Sequence, residues 1–182
     1  EGNIIIASQG AARIPTQNIL IEGDKSIYNK KVSELLITGN VKFFDDLNDV
    51  YVETEKAIYS SKTNKLLAIG ITFIQIKDAY DIYSKDILYD RNSMKISSKL
   101  ETSILDNLDN IYILNDGFLF DTFKETISSK RTTVIDKNRN NYSFDLAKVN
   151  LKTREIAGKE VVVNFEDSFF GNEKNDPLLK GK

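Results

Sequence analysis

One short pattern returns along most of this 182-residue chain and limits what it can fold into. Ser26-Ile27-Tyr28, Ala57-Ile58-Tyr59, Ile87-Leu88-Tyr89, Phe118-Leu119-Phe120 and Val149-Asn150-Leu151 place an aromatic residue or a leucine at spacings of 31, 30, 31 and 31 residues. A fixed period of this size marks a stacked array, in which each unit cannot bury its apolar face alone and does so against its neighbours.

The units read as strands. Ile, Val, Tyr, Phe and Thr fill the apolar positions and alternate with polar residues over short runs, as half-buried strands require. Ser26, Tyr28, Ala57, Tyr59, Ile87, Tyr89, Phe118, Phe120, Val149 and Leu151 share one parity, which a strand sends to one face. The opposite parity mixes Lys25, Lys56, Asp86, Gly117 and Lys148 with Ile27, Ile58, Leu88, Leu119 and Asn150, and suits a wetter side. Turn-rich gaps follow each unit at 29–31, 60–62, 90–92 and 152–154, and a second apolar strand begins beyond each. In those second strands Ile37, Ala68, Ile96, Ile127 and Ile156 line up when Gly39, Gly70, Ser98, Ser129 and Gly158 share a column. Asx-rich corners at 45–49, 77–78, 106–110 and 136–141 close the units, because Asp and Asn bond their own backbone and tolerate left-handed conformations. The expected fold is therefore all-β, a repeat-built antiparallel stack with one long apolar interior. The inner columns fit a dry sandwich core as well as a ligand-lined space.

Such a stack, unless closed, leaves unpaired backbone at its ends. Ile4, Ile5 and Ile6, with Ile19, Leu20 and Ile21, carry few charges to discourage pairing and are the candidate edge for a partner strand.

Composition narrows the chemistry. A net charge of -2, from 25 basic and 27 acidic residues, supplies no broad field for nucleic acid. The chain has no Cys and no His, which removes the commonest nucleophiles, the usual base near neutral pH and most zinc or redox ligands. No run is apolar for long enough to be a membrane helix, and Glu1-Gly2-Asn3 is not a charged signal region, so a cytosolic chain and a mature exported piece both fit. The turn at 45–49 lacks the glycine and distal glutamate of an EF-hand. Ser97-Ser98-Lys99 and Ser128-Ser129-Lys130 recur as repeated strand ends rather than as a Ser/Lys nucleophile. Gly39, Gly70, Gly158 and Gly181 are isolated, with no phosphate loop. No catalytic pair, metal site or cofactor is expected.

The unit GDKSIYNKKVSELLITGNVKFFDD (23–46), followed by TEKAIYSSKTNKLLAIG (54–70), resembles the repeat of the OstA-like family, which builds the periplasmic lipopolysaccharide transport bridge. The resemblance covers about residues 19–165, and Gly39-Asn40-Val41-Lys42-Phe43 is its clearest line. The family includes LptA, LptC and the N-terminal part of LptD, and it implies a β-jellyroll drawn as an open, twisted V of two walls. It also implies a trough for lipid A acyl chains, here lined by Tyr28, Ile37, Ala57, Tyr59, Ile87, Tyr89, Ile96, Phe118, Phe120, Ile127, Leu151 and Ile156. Residues 83–107 and 154–163 are similar to later repeats of LptD periplasmic domains. The tail Asn175-Asp176-Pro177-Leu178-Leu179-Lys180-Gly181 resembles the segment approaching the outer-membrane barrel, although Leu178 stands where arginine is expected. A second departure is the absence of the cysteines with which many members tie this domain to their barrel.

The resemblance thus implies a jellyroll domain at 1–165 and a linker at 166–182 leading to a barrel. It implies a periplasmic location as part of an outer-membrane protein, and no enzymatic activity. The partners it implies are lipopolysaccharide, an LptA-like bridge protein paired at the edge strand, and an LptE-like lipoprotein with the full-length barrel. A free-standing LptA-like bridge protein and a β-solenoid or adhesin-like stalk with a dry core are the alternatives.

Overall fold

The structure, a computed structural model, describes residues 2–166 and 178–181. Six long strands open the chain: β1 (Ile4–Ile14), β2 (Ile19–Asn29), β3 (Glu34–Asp45), β4 (Val50–Ser60), β5 (Lys65–Ile76) and β6 (Tyr80–Asp90). Each is antiparallel to the one before it, and a 3-10 turn at Pro15–Gln17 joins the first two. The next strands are shorter: β7 (Lys95–Ser98), β8 (Thr102–Asp106), β9 (Ile111–Leu114) and β10 (Phe118–Asp121). There follow β11 (Thr126–Ile135), β12 (Asn141–Asn150), β13 (Glu155–Lys159), β14 (Val161–Asn164) and β15 (Leu178–Gly181). All belong to one antiparallel sheet, as the alternation and turn signals predict.

A crease divides this sheet into two walls. The register slips between Glu22 and Lys25, Thr38 and Val41, Thr54 and Lys56, and Ala68 and Ile71, so a line of bulges runs across four neighbouring pairs. A bulge bends its strand sharply, and bulges in line fold a sheet. Gly39 and Gly70 sit on this line at φ 77° and 88°, where a glycine carries no steric penalty. Farther along, the crease becomes a break: β7 and β8 take separate halves of β6, β9 and β10 follow them, and both rejoin on β11. The turn-forming run Asn115-Asp116-Gly117 makes one of these breaks, with Gly117 at φ 79°.

Small hydroxyls line the inner side of the crease. Thr54 donates to the carbonyls of Ile69 and Ile71, Thr72 bonds Thr54 and the Gly70 carbonyl, and Ser84 and Thr102 bond each other at 2.6 Å. These side chains satisfy backbone groups that the bulges free from the ladder, which an apolar residue there would leave buried and unpaired. Across the crease the walls meet through one apolar core running from Ile19 to Leu151.

The parity prediction holds: Ala57, Tyr59, Ile87, Tyr89, Phe118, Phe120 and Val149 point inward and are buried, while Ile58, Leu88 and Leu119 face outward. Three expectations need correction. Ile19, Leu20 and Ile21 are not at an edge, because β2 is paired on both sides and Ile19 and Ile21 belong to the core. The last repeat is shortened, so Val149, not Leu151, occupies the aromatic position, and Leu151 starts the following turn. Ile96, Ile127 and Ile156 do not share a column with Ile37 and Ala68; each follows its row partner by seven residues, as Leu35 and Leu66 do, and stands in register with those two, because Gly39 and Gly70 lie at the crease two residues farther along than Ser98, Ser129 and Gly158. Of the segment expected to be a linker, 178–181 adds a strand to β14, and 175–177 of the tail motif lies outside the described residues.

Candidate functional site

One transverse row of side chains builds the second wall's inner surface. In register order it reads Tyr28, Leu35, Tyr59, Leu66, Tyr89, Ile96, Phe120, Ile127, Val149 and Ile156. Aromatic and aliphatic residues alternate along it, the cross-strand pairing that packs best on a pleated face. Against the middle of this row the first wall sets Phe43, whose ring centroid lies 5.9 Å from that of Tyr59 and 6.3 Å from that of Tyr89. Tyr80 meets Phe120 edge-on at 5.6 Å. Phe43, Tyr89 and Phe120 are fully buried, so rings from both walls fill the middle of the interior.

A polar clasp closes the lips beside these rings. Asp45, at the end of β3, accepts hydrogen bonds from Tyr89 Oη at 2.9 Å, Arg91 Nε at 2.5 Å, Arg91 Nη2 at 3.0 Å and Asn48 Nδ2 at 2.7 Å. Gln17 bridges from the 3-10 turn: its side-chain oxygen accepts from Tyr59 Oη at 2.6 Å and Arg91 Nη1 at 3.2 Å, and its carbonyl accepts from Arg91 Nη2. Both ionic side chains are almost wholly buried. Burial pushes the Asp45 carboxyl up, but donation from Arg91, Asn48 and Tyr89 outweighs it and holds the group below its usual value. Burial and the neighbouring Asp45 carboxylate both push the Tyr89 phenol well up, so it stays a donor. Lower on the lips, Lys77 pairs with Glu125 at 3.2 Å, and Tyr80 is raised to about 12 by burial and then by Glu125.

The ends of the interior are open. At the first, a cavity of about 430 Å³ is lined by Ile5, Ala12 and Ile14 of β1 with Tyr28, Leu35 and Tyr59. At the other, a cavity of about 1080 Å³ lies between Tyr112, Val134, Tyr142 and Phe144 on one wall and Val149, Ile156 and Ala157 on the other. Two copies of one turn frame this larger mouth. Asp106 accepts from the Leu108 and Asn110 amides, Asn110 Nδ2 and Tyr112 Oη. Asp136 accepts from the Asn138 and Asn140 amides, Asn140 Nδ2 and Tyr142 Oη. Among the described residues no strand pairs the outer side of β1, and Ile4, Ile5 and Ile6 are exposed on that strand.

The predicted interior residues divide accordingly. Ile37, Ala57, Tyr59, Ile87, Tyr89, Ile96, Phe118, Phe120, Ile127 and Leu151 are buried in the core, Tyr28 lines the first mouth, and Ile156 is exposed at the second. Sequence reasoning missed Gln17, Asp45 and Arg91, which meet only in the folded chain, and Tyr112 and Tyr142. The latter pair had a signal: Asp-x3-Asn-x-Tyr occurs at 106–112 and again at 136–142.

The Ser98 and Ser129 hydroxyls donate to the carbonyls of Lys85 and Gly117, tying down the crease. Asp45 is taken up by Arg91, Tyr89 and the Asn48 side chain of its own turn, and no group of three or more potential metal ligands occurs among the described residues.

No family model matches the chain, and no curated protein does. Among solved structures the chain is similar to LptH, the LptA-homologous periplasmic component of the lipopolysaccharide transport device of Pseudomonas aeruginosa. The identity is 12% and the TM-score 0.49, over 70% of this chain and 82% of that one.

Proposed function

We propose that this chain is a non-enzymatic, periplasmic module that carries lipopolysaccharide by its acyl chains and takes up a neighbouring chain at the free edge of β1. The supporting observation is the continuous apolar interior with a cavity at each end, one of them walled by the edge strand itself. An acyl chain left in water costs about 0.8 kcal/mol per methylene, and an apolar channel through an aqueous compartment removes that cost without chemistry. The resemblance of residues 83–107 and 154–163 to LptD repeats favours a domain that delivers lipid to an outer-membrane barrel and its LptE-like lipoprotein. A free-standing LptA-like bridge is compatible with the same interior.

A second reading has its own support. Rings fill the middle and the Asp45–Arg91 clasp shuts the lips there, as a purely structural stalk with a dry core requires. In the transport reading the walls part at the clasp when lipid passes. Photo-crosslinking residues placed at Leu35 in the first mouth, Tyr89 in the middle and outward-facing Leu119 separate the two. Lipid transport gives lipopolysaccharide adducts at Leu35 and Tyr89 and none at Leu119. Absence of adducts at both inner positions, in protein whose strand content is unchanged, would leave the stalk standing.

A further inference from the structure

The rings on the outside of the first wall are gathered in one place. Phe44, Tyr51, Phe73 and Tyr83 point away from the interior on the adjacent strands β3 to β6, and every other aromatic residue in a described strand belongs to the core or packs on it. Phe44 faces Tyr51 across the strands with centroids 4.9 Å apart, Phe73 faces Tyr83 at 5.1 Å, and Tyr51 meets Phe73 at 6.5 Å, so the four make one chain of rings. Water reaches them: Tyr83 is 52% exposed and the other three are partly exposed.

Polar side chains hold the remaining positions of the same two rows. Lys42 Nζ lies 4.0 Å from Glu53 Oε1, Tyr51 Oη donates to Glu53, and Gln75 Nε2 donates to Asp81 Oδ1 at 3.2 Å. Ring pairs and polar pairs therefore alternate on one face. Hollows extend it along the strands. One of about 380 Å³ runs past Phe44, Tyr51 and Gln75 to Lys77 and Asp78 at the lip, and two of about 380 and 600 Å³ lie towards the crease and share Ile71 and Phe73.

Size and charge limit what can lie on this face. From Asp78 to Ile71 it is about 24 Å long at about 3.4 Å per residue, and four strands about 4.8 Å apart make it about 20 Å wide. Its area of about 480 Å² is less than the about 800 Å² that each partner of a stable protein interface buries. Glu53, Glu55, Asp81 and Glu101 outnumber Lys42 and Lys85, so the face does not attract an anionic membrane or nucleic acid. A sugar chain matches it. A pyranose has an apolar C–H side, which the negative face of an aromatic ring attracts, and a rim of hydroxyls that donate and accept. Glu53 and Asp81 each accept one of the hydrogen bonds above, and a carboxylate offers about four lone-pair sites, which leaves acceptors for those hydroxyls.

We infer that the outer face of the first wall, from Phe44 and Tyr51 to Phe73 and Tyr83, is a binding site for an oligosaccharide, the rings stacking on its sugars and Glu53, Gln75 and Asp81 holding its hydroxyls. A free glycan strand and the saccharide of a glycolipid share this chemistry. The face is on the far side of the sheet from the interior, and the inference is independent of the lipid-carrying reading.

The test uses the whole chain and calorimetry with three probes: an oligomer of β-1,4-linked N-acetylglucosamine, the deacylated saccharide of a lipopolysaccharide, and N-acetylglucosamine alone. One of the two longer probes is expected to bind at least about tenfold more tightly than the single sugar, and the tighter of them identifies the source. Tyr83→Leu keeps an apolar side chain but removes the flat ring, and is expected to weaken binding about tenfold, whereas Tyr83→Phe stays near the parent. Asp81→Asn is expected to weaken it about fivefold. Leu119→Ser, on the outside of the second wall, leaves binding unchanged. Parent-like binding by Tyr83→Leu, an equal loss in Leu119→Ser, or binding of a lysine-rich peptide where neither saccharide binds would overturn the site. If neither saccharide binds while lipopolysaccharide adducts form at Leu35 and Tyr89, the inference fails and the lipid-carrying reading survives. Saccharide binding without those adducts gives the reverse.

Discussion

Asp45 is the residue on which the closed state of the interior turns. It is buried, it accepts four hydrogen bonds, and its ion pair with Arg91 joins the lip of one wall to the other. Its carboxyl is held below the usual value near 3.9, so its stabilisation is complete above the unfolded value and is lost as pH falls through the lower folded value. Asp45→Asn leaves the Arg91 charge buried without a counter-ion and is expected to cost about 3–5 kcal/mol at neutral pH. The same variant should lose less additional stability than the parent between pH 5 and pH 2, since it has no carboxylate left to protonate here. Denaturant titrations of both proteins at several pH values measure the two slopes, and parallel slopes would show that the clasp does not titrate. None of this was legible beforehand. Gln17, Asp45 and Arg91 belong to three separate turns, and nothing in their local sequence signals that they converge.

At the scale of the element, β1 differs from every strand of the middle. Among the described residues it pairs only β2, and its first residues present Ile4, Ile5 and Ile6 at 57%, 49% and 65% exposure, with no lysine or proline guarding the ladder. An edge of this kind templates the addition of another strand. Ile4→Lys with Ile6→Lys places charges along it without touching the core and is expected to abolish concentration-dependent association while leaving Tm within a few degrees. Sedimentation of parent and variant decides it: equal association would place the contact elsewhere. The strand itself was foreseen, but β2 was mistaken for part of the same edge. Alternating isoleucines look alike in an edge strand and in its neighbour, and only pairing on both sides tells them apart. The period was also legible, with turns expected at 29–31, 60–62 and 90–92 and found at 30–33, 61–64 and 91–94. Its slip from 31 to 30 was not, because it comes from a three-residue turn at 77–79 in place of the four at 46–49, and both lengths draw on the same Asx residues.

For the molecule as a whole, order should be graded along the stack. In an array each unit is stabilised by its neighbours, so units with one neighbour open first. The middle strands β3 to β6 are long, paired on both sides and bound wall to wall by rings and the clasp, whereas every residue of β13 is exposed and among the described residues it pairs β12 alone. Amide exchange is therefore expected to be slowest in β4 to β6 and fastest in β13, with β1 between. Uniform protection would mean that the stack opens only as one unit. The sequence alone was enough for the all-β class, the repeat of about 31 residues, the inward parity of Tyr59, Tyr89 and Phe120, and the turns that close each unit, because these follow from spacing and local propensity. Which of those inward residues meet protein and which meet space was decided by the tertiary structure. That depends on what the opposite wall sets across from them: Phe43 against Tyr59 and Tyr80 against Phe120 in the middle, and a cavity at each end.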